Sequence, residues 1–152
     1  MTIIDFMREK LSEYPKIQEF LAGEELHMDF TDPDATSYGL SSAGDTLVRE
    51  DVLGNQQRKH TFMLYAVCPS FTDYCRVANS NFLLELAYWL ERLPEENGIN
   101  VDTGDETLTG RFMKATTANA MAMQPMGATV NDGVLYQIQI YAYYKIEMEE
   151  FL

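Results

Sequence analysis

The chain begins with apolar residues at helical spacing. Ile3, Phe6 or Met7, Leu11 and Tyr14 recur every three or four positions, which predicts an amphipathic helix. Thr2 with Asp5 three residues later has the form of a capping box, with Asp standing where Glu is more usual. Pro15 ends the regular pattern, and Ile17, Phe20 and Leu21 form a short apolar cluster before Gly23. From Leu26 the period changes to two. Leu26, Met28 and Phe30 alternate with His27 and Asp29, which predicts a strand stopped by Asp32-Pro33-Asp34. Tyr38 to Leu40 reads as a short strand, Ser41 to Asp45 as a turn, and Thr46 to Leu53 as a further strand. Gly54-Asn55 supplies a tight turn into a strand from Gln57 to Cys68. The half of that strand from Phe62 to Cys68 is apolar on both faces. Such a strand is central, or is covered on its second face by another element or subunit.

A second helix is predicted after Pro69, capped by Thr72 or Asp73. Ala78, Phe82, Leu86, Trp89 with Leu90, and Leu93 step by three or four, and Pro94 closes it. From Glu95 to Gly110 there are five acids and no base, punctuated by Gly98, Gly104 and Gly110. This reads as a surface loop with room for one short strand. Two strands complete the chain, Arg111 to Met123 and Val134 to Met148, separated by Pro125, Gly127 and an Asn131-Asp-Gly133 turn. In the last strand Tyr136, Ile138, Ile140, Ala142, Tyr144, Ile146 and Met148 share one face. Gln137, Gln139, Tyr141, Tyr143, Lys145 and Glu147 share the other. At about 3.4 Å per residue it spans roughly 50 Å, far beyond the common strand, so it is expected to bend or to run past its own sheet. Its Gln- and Tyr-bearing face suits a wet protein–protein contact rather than dry core. Because the elements are grouped rather than alternating, the expected fold is α+β. A mostly antiparallel sheet of about five to six strands carries two main helices on one face, in a single domain over 1–152.

Composition narrows the function. The 46% hydrophobic content supports a real core. Twenty-four Asp and Glu against eleven Lys and Arg give a net charge of −13. That balance disfavours gripping nucleic acid by its phosphates or docking on an anionic membrane, both of which run on basic residues. Two Cys exclude a disulfide scaffold and a Cys-rich zinc site. The N-terminus has no apolar h-region, because Asp5 and Glu9 interrupt it, and no run approaches a membrane span. A cytoplasmic site of synthesis with free thiols at Cys68 and Cys75 is the simplest expectation.

Catalytic signals are weak. His27 and His60 fall in predicted strands, and with Cys68 and Cys75 they show no metal-ligand spacing. Both histidines read as structural. Cys75 lies in the first turn of the second helix, where the dipole favours a thiolate, but no histidine is near in sequence to serve as its base. Asp32 and Asp34, and Asp102, Asp105 and Glu106, do not continue into a calcium loop and read as solvated loop acids. No nucleophile elbow, P-loop or dinucleotide fingerprint is present. Met121, Met123 and Met126 suit either core filling or an adaptable apolar surface. The expectation is a protein that is not an enzyme, with no catalytic residues, no cofactor and no metal.

Three stretches, taken in order and spacing, resemble a known family. They are Asp51-Val-Leu-Gly54-Asn-Gln-Gln-Arg58-Lys59-His-Thr-Phe62, then Asn79-Ser-Asn-Phe82-Leu-Leu-Glu-Leu86-Ala-Tyr-Trp89-Leu90-Glu91 with Leu93-Pro94, then Tyr136-Gln-Ile-Gln-Ile-Tyr-Ala-Tyr-Tyr144. Together they resemble the phage minor capsid and tail terminator family found in prophages and phage-tail-like particles of Gram-positive bacteria, over roughly residues 26 to 148. The resemblance implies a virion structural protein that forms a ring, usually hexameric, on the head-proximal end of a phage tail or of a headless contractile particle. Such a ring stops tube polymerisation and offers a docking surface to a head connector or collar. Implied partners are further copies of the chain, the tail tube protein, and sheath and connector or collar proteins. DNA passes through the lumen without specific binding, no membrane is involved, and assembly takes place in the host cytoplasm.

A ring subunit needs two different side surfaces. Candidate subunit or tube contacts are Arg49, Arg58, Lys59, Arg111 and Lys114 on the strands, Gly54 and Asn55 at the hairpin turn, and Tyr141 and Tyr143 on the last strand. Candidate lumen acids are Asp102, Asp105 and Glu106, whose charge would repel DNA phosphates. A head–tail connector or neck protein is the neighbouring reading. From other classes, an acidic DNA mimic that inhibits a nuclease would exploit the same negative charge, and a small enzyme with a carboxylate site would lack any recognisable motif.

Overall fold

A computed structural model describes residues 1–14, 27–28, 37–68, 73–102, 104, 107–125 and 134–147. The elements are α1 (Ile3–Glu13), β1 (His27–Met28), β2 (Ser37–Glu50), β3 (Gln56–Cys68), α2 (Asp73–Glu91), β4 (Glu96–Asp102), β5 (Thr107–Pro125) and β6 (Val134–Glu147). The strands form one sheet in the order β1-β2-β3-β6-β5-β4. Every pairing is antiparallel except the short β1, which runs parallel to β2. The fold is α+β with a mostly antiparallel sheet and two main helices, as the grouping of elements predicts.

The expected capping box is complete. The Thr2 hydroxyl accepts the Asp5 N–H, and the Asp5 carboxylate accepts the Thr2 N–H, each at 3.2 Å. The helix then buries Ile3, Phe6, Met7 and Leu11, and Tyr14 follows them into the core. From α2 come Phe82, Leu83, Leu86, Ala87 and Leu90. Phe6 lies on Phe112 of β5 with ring centroids 4.6 Å apart, and Tyr14 packs against Trp89 of α2 at 4.9 Å. Both helices therefore cover the same side of the sheet. Under them lie Leu40, Phe62, Leu64, Phe112, Ala115, Tyr136, Ile138, Ile140, Ala142, Tyr144 and Ile146. Full burial of each large apolar side chain contributes about 1.5–3 kcal/mol, and this one-sided stack is the core.

One expectation about the strands is corrected and another is narrowed. The turn expected over Ser41–Asp45 is absent, and β2 runs unbroken from Ser37 to Glu50. The small polar run instead holds a bulge between Ser42 and Gly44, and Gly44 adopts φ +128. A glycine at positive φ absorbs the extra residue without ending the ladder. Of the two alternatives expected for the last strand, running past its own sheet is the one that β6 does not follow. It pairs along its length with β3 on one side and with the 19-residue β5 on the other. Only its faces are available to a partner.

The room left for a strand in the acidic stretch is filled by β4, which pairs with the start of β5, itself begun at Thr107 rather than Arg111. The apolar cluster at 17–21, the far ends of the strand expected over 26–30, the cap at Thr72, the 131–133 turn, and Asp32, Asp34, Asp105, Glu106 and Met126 lie outside the described residues.

Gly110 sits where β5 crosses β6 too closely for a side chain. A Cβ there would lie 1.7 Å from the Lys145 carbonyl oxygen. Gly110→Ala must separate the two strands, and overpacking of this kind costs about 1–3 kcal/mol or more. Urea unfolding followed by circular dichroism should show a lower midpoint for Gly110→Ala, and an unchanged midpoint would mean that the strands do not approach as described.

Candidate functional site

The sheet has a second face that neither helix covers. Strand register places its side chains in rows. Thr46, Lys59, Tyr143 and Lys114 form one row across β2, β3, β6 and β5. Arg49, Gln57, Lys145, Arg111 and Asn97 form the next, reaching β4. On the other side of the first row lie Thr61, Tyr141 and Thr116, then Met63, Gln139 and Ala118. Five of the eleven bases thus crowd two adjacent rows of a chain whose net charge is −13. Acids on this face, Asp102 and Glu147, sit at the β4 margin.

These bases are poorly neutralised. Arg111 and Lys145 stand directly opposite each other, a like-charge pair that destabilises a sheet. The nearest carboxylate to Arg111 is that of Glu95, 4.0 Å away, and the buried Arg111 Nε has no hydrogen-bond partner. Among the described residues no carboxylate pairs with Lys59, Lys114 or Lys145. Two of these ammonium groups lie over aromatic rings instead. Lys59 Nζ is 5.1 Å from the Tyr141 ring centre, and Lys114 Nζ is 5.1 Å from that of Tyr143. A cation over an exposed ring gains about 0.5–1 kcal/mol, too little to replace an ion pair at a desolvated contact. Polar anchoring continues where Gln139 Oε1 accepts from the Tyr141 hydroxyl at 2.9 Å and from Asn119 Nδ2 at 2.8 Å. The result is a semi-rigid patch of Tyr, Lys, Arg and Gln, residue types that suit a protein interface with trapped water.

The β2–β3 turn lies at one end of this sheet. It is organised by Asp51 rather than by Gly54-Asn55 alone. The Asp51 carboxylate accepts from the backbone N–H groups of Leu53 and Asn55 at 2.9 and 3.0 Å and from Asn55 Nδ2 at 3.1 Å. Gly54 supplies the positive φ, +86, that closes the loop. This bracing holds two apolar side chains in water: Val52 is 101% exposed and Leu53 is 70% exposed. A fixed apolar tip is a ready anchor for a partner.

Of the residues singled out from sequence, Arg49, Lys59, Arg111, Lys114, Tyr141 and Tyr143 share the open face, and Gly54 and Asn55 form the hairpin turn. Arg58 does not join them. It lies on the helix-facing side, where its Nε donates to Asp45 Oδ1. Asp102 ends β4 on the open side, exposed, and accepts the Gly104 N–H at 2.8 Å. Lys145 belongs to the patch and was not singled out, because only the register reveals that it faces Arg111.

Sequence reading also missed a polar hub. Asp45 accepts from Arg58, from His60 Nδ1 at 2.9 Å and from the Tyr144 hydroxyl. With the His60 proton on Nδ1, its Nε2 accepts from the Ser42 hydroxyl at 2.6 Å. His60 is the buried histidine expected to be structural, and its ring packs on Phe62 at 4.6 Å. Ser42, His60 and Asp45 have the connectivity of a nucleophile relay. Arg58 already neutralises Asp45, however, so the carboxylate has little charge left to stabilise an imidazolium. The hub instead ties β2, β3 and β6 together on the helix-facing side of the sheet. Partial burial works against the Asp45 charge, but hydrogen bonds from Tyr144, Arg58 and His60 outweigh it and hold the carboxyl below its ordinary range. Burial and the bond to Asp45 push the Tyr144 phenol up.

Among the described residues no cluster of three His, Cys, Asp or Glu is placed to hold a metal, and no helix is long and apolar enough to cross a membrane. No protein-family model and no curated protein matches the chain.

The hub has a pH signature. A carboxyl whose native pKa is depressed stabilises the fold above its unfolded pKa, and that contribution is lost as pH falls through the native value. Asp45→Asn removes acceptor capacity that three donors use and should cost about 1–3 kcal/mol at neutral pH. The gap between wild type and Asp45→Asn in urea midpoints should shrink as pH drops below the ordinary carboxylate range. A gap that stays constant into strong acid would show that the Asp45 charge is not what the hub relies on.

Proposed function

We propose that this protein is a non-enzymatic ring subunit that caps the head-proximal end of a phage or phage-like tail. The observation that carries the reading is a basic and aromatic sheet face that, among the described residues, neither helix covers, on a chain whose net charge is −13. Such a face is unfinished in an isolated subunit, since Arg111 and Lys145 stand opposite each other and, among the described residues, no carboxylate pairs with Lys59, Lys114 or Lys145. A homo-oligomer completes it. The resemblance carried by the hairpin, the second helix and the last strand gives that assembly its biological setting: a ring, hexameric in the family, that ends tube growth and meets a connector or collar.

The braced hairpin supplies a separate contact. Val52 and Leu53 stand at the exposed tip of the β2–β3 turn and are poised to seat on the tail tube. Asp102, at the β4 end, is the described member of the acids assigned to the lumen, where negative charge lets DNA slide without being held. Sheath and collar proteins would meet the completed ring rather than the single subunit. The same α+β design would also serve a head–tail connector, and tail length separates the two roles.

Electron microscopy of particles from a strain lacking the gene should show abnormally long or ragged tails. Tails of normal length with detached heads would instead assign the protein to the connector. At the hairpin, Val52→Asp with Leu53→Asp should leave thermal stability within about 0.5 kcal/mol of wild type, as expected for exposed sites, yet abolish cosedimentation with tail tubes. Undiminished cosedimentation would remove the hairpin from the tube contact.

A further inference from the structure

We infer that the open sheet face of one subunit docks on the helix layer of a second copy of this chain. The inference deepens the ring reading and rests on it, by naming the two surfaces that meet.

The helix layer is the chemical complement of the sheet face. Leaving out Glu95, which lies 4.0 Å from Arg111 of the sheet face, residues 1–14 and 81–96 carry six acids against three bases. Lys10 shares its charge with two of those acids, Glu96 at 2.9 Å and Glu13 at 3.5 Å, which leaves the excess of acids in place. Along α2 the buried stripe is Phe82, Leu83, Leu86, Ala87 and Leu90, so Asn81, Leu84, Glu85 and Tyr88 form the outward stripe, with Glu91 exposed at its end and accepting from the Thr117 hydroxyl of β5 at 3.1 Å. Leu84 and Tyr88, one turn apart, are 50% and 54% exposed. Each surface therefore has an apolar or aromatic centre with a charged surround of one sign. Leu84 and Tyr88 stand among Glu85 and Glu91, while Tyr141 and Tyr143 stand among Lys59, Lys114 and Lys145. Burying the aromatic centres drives association, and the opposed charges fix orientation and register.

Other occupants fit less well. A symmetric dimer through the sheet face would set five bases against five bases. A single-stranded nucleic acid would need ring faces for its bases to stack on, and lysine ammonium groups already lie over Tyr141 and Tyr143. The two proposed surfaces lie on opposite sides of one sheet. A subunit bound through one still offers the other, so the contact is heterologous and propagates until rotation closes it into a ring.

Charge reversal tests the pairing on the full chain. Lys59→Glu with Lys114→Glu makes the sheet face acidic, and Glu85→Lys with Glu91→Lys makes the helix face basic. Sedimentation velocity should show oligomers for wild type that weaken with salt. Each double variant, folded by circular dichroism, should lose affinity on the order of tenfold or more. An equimolar mixture of the two variants should assemble again, because each reversed face then meets a complementary one. Wild type that remains monomeric at all concentrations overturns the contact. Oligomers that survive both reversals, or variants that fail to rescue one another, overturn these two faces while leaving a ring built by other surfaces. A single-stranded oligonucleotide that binds wild type and displaces the oligomer would reassign the sheet face to nucleic acid. Tail length in the gene deletion is read separately, so failure of this contact and failure of the capping role give different results.

Discussion

A sheet has two faces, and among the described residues helices cover only one of them. Everything else follows from that asymmetry. The helix-covered side is filled by the even-numbered residues of β6, from Tyr136 to Ile146, with Phe62, Leu64 and Phe112 beside them. Strict alternation then forces the odd-numbered residues to the other side. There the chain places neither a dry apolar layer nor an ordinary solvated mixture of charges. It places tyrosines, glutamines and a concentration of bases whose mutual repulsion the fold tolerates. A feature that costs stability in the isolated subunit is where function is to be sought.

The covered side has its own division. Near the helices the packing is apolar, while toward the hairpin it passes into the Asp45 hub, where Arg58, His60 and Tyr144 share one carboxylate. The hub does in polar chemistry what the helices do elsewhere, holding β2 to β3 and β6. The close approach of β5 to β6 at Gly110 keeps the basic rows in fixed register. Rigidity of this kind lowers the entropy lost when a partner docks.

Much of the fold was legible because periodicity is local. The alternation from Tyr136 to Glu147 fixed which side chains share a face, and the stripe from Phe82 to Leu90 fixed the buried side of α2. The capping box at Thr2 was readable from two residues. What stayed hidden depends on pairing between distant strands. Arg58 looked like a partner of Lys59, yet adjacent strand residues point to opposite faces, and only the placement of Asp45 explains why Arg58 turns inward. Lys145 gained meaning from Arg111, 34 positions earlier in sequence and directly opposite in the sheet. The run Ser41–Asp45 has turn composition, but a bulge uses the same small residues, and a continuous neighbouring strand decides between them. No local motif marks the interaction surface, because it is a property of rows that cross four strands.

The central claim is that the basic sheet face becomes buried when subunits assemble. Lysine acetylation read by mass spectrometry tests it directly, comparing full-length protein in its assembled state with the same protein dissociated by dilution. The account predicts that Lys59, Lys114 and Lys145 lose reactivity together on assembly. Equal reactivity of these three lysines in both states would contradict it.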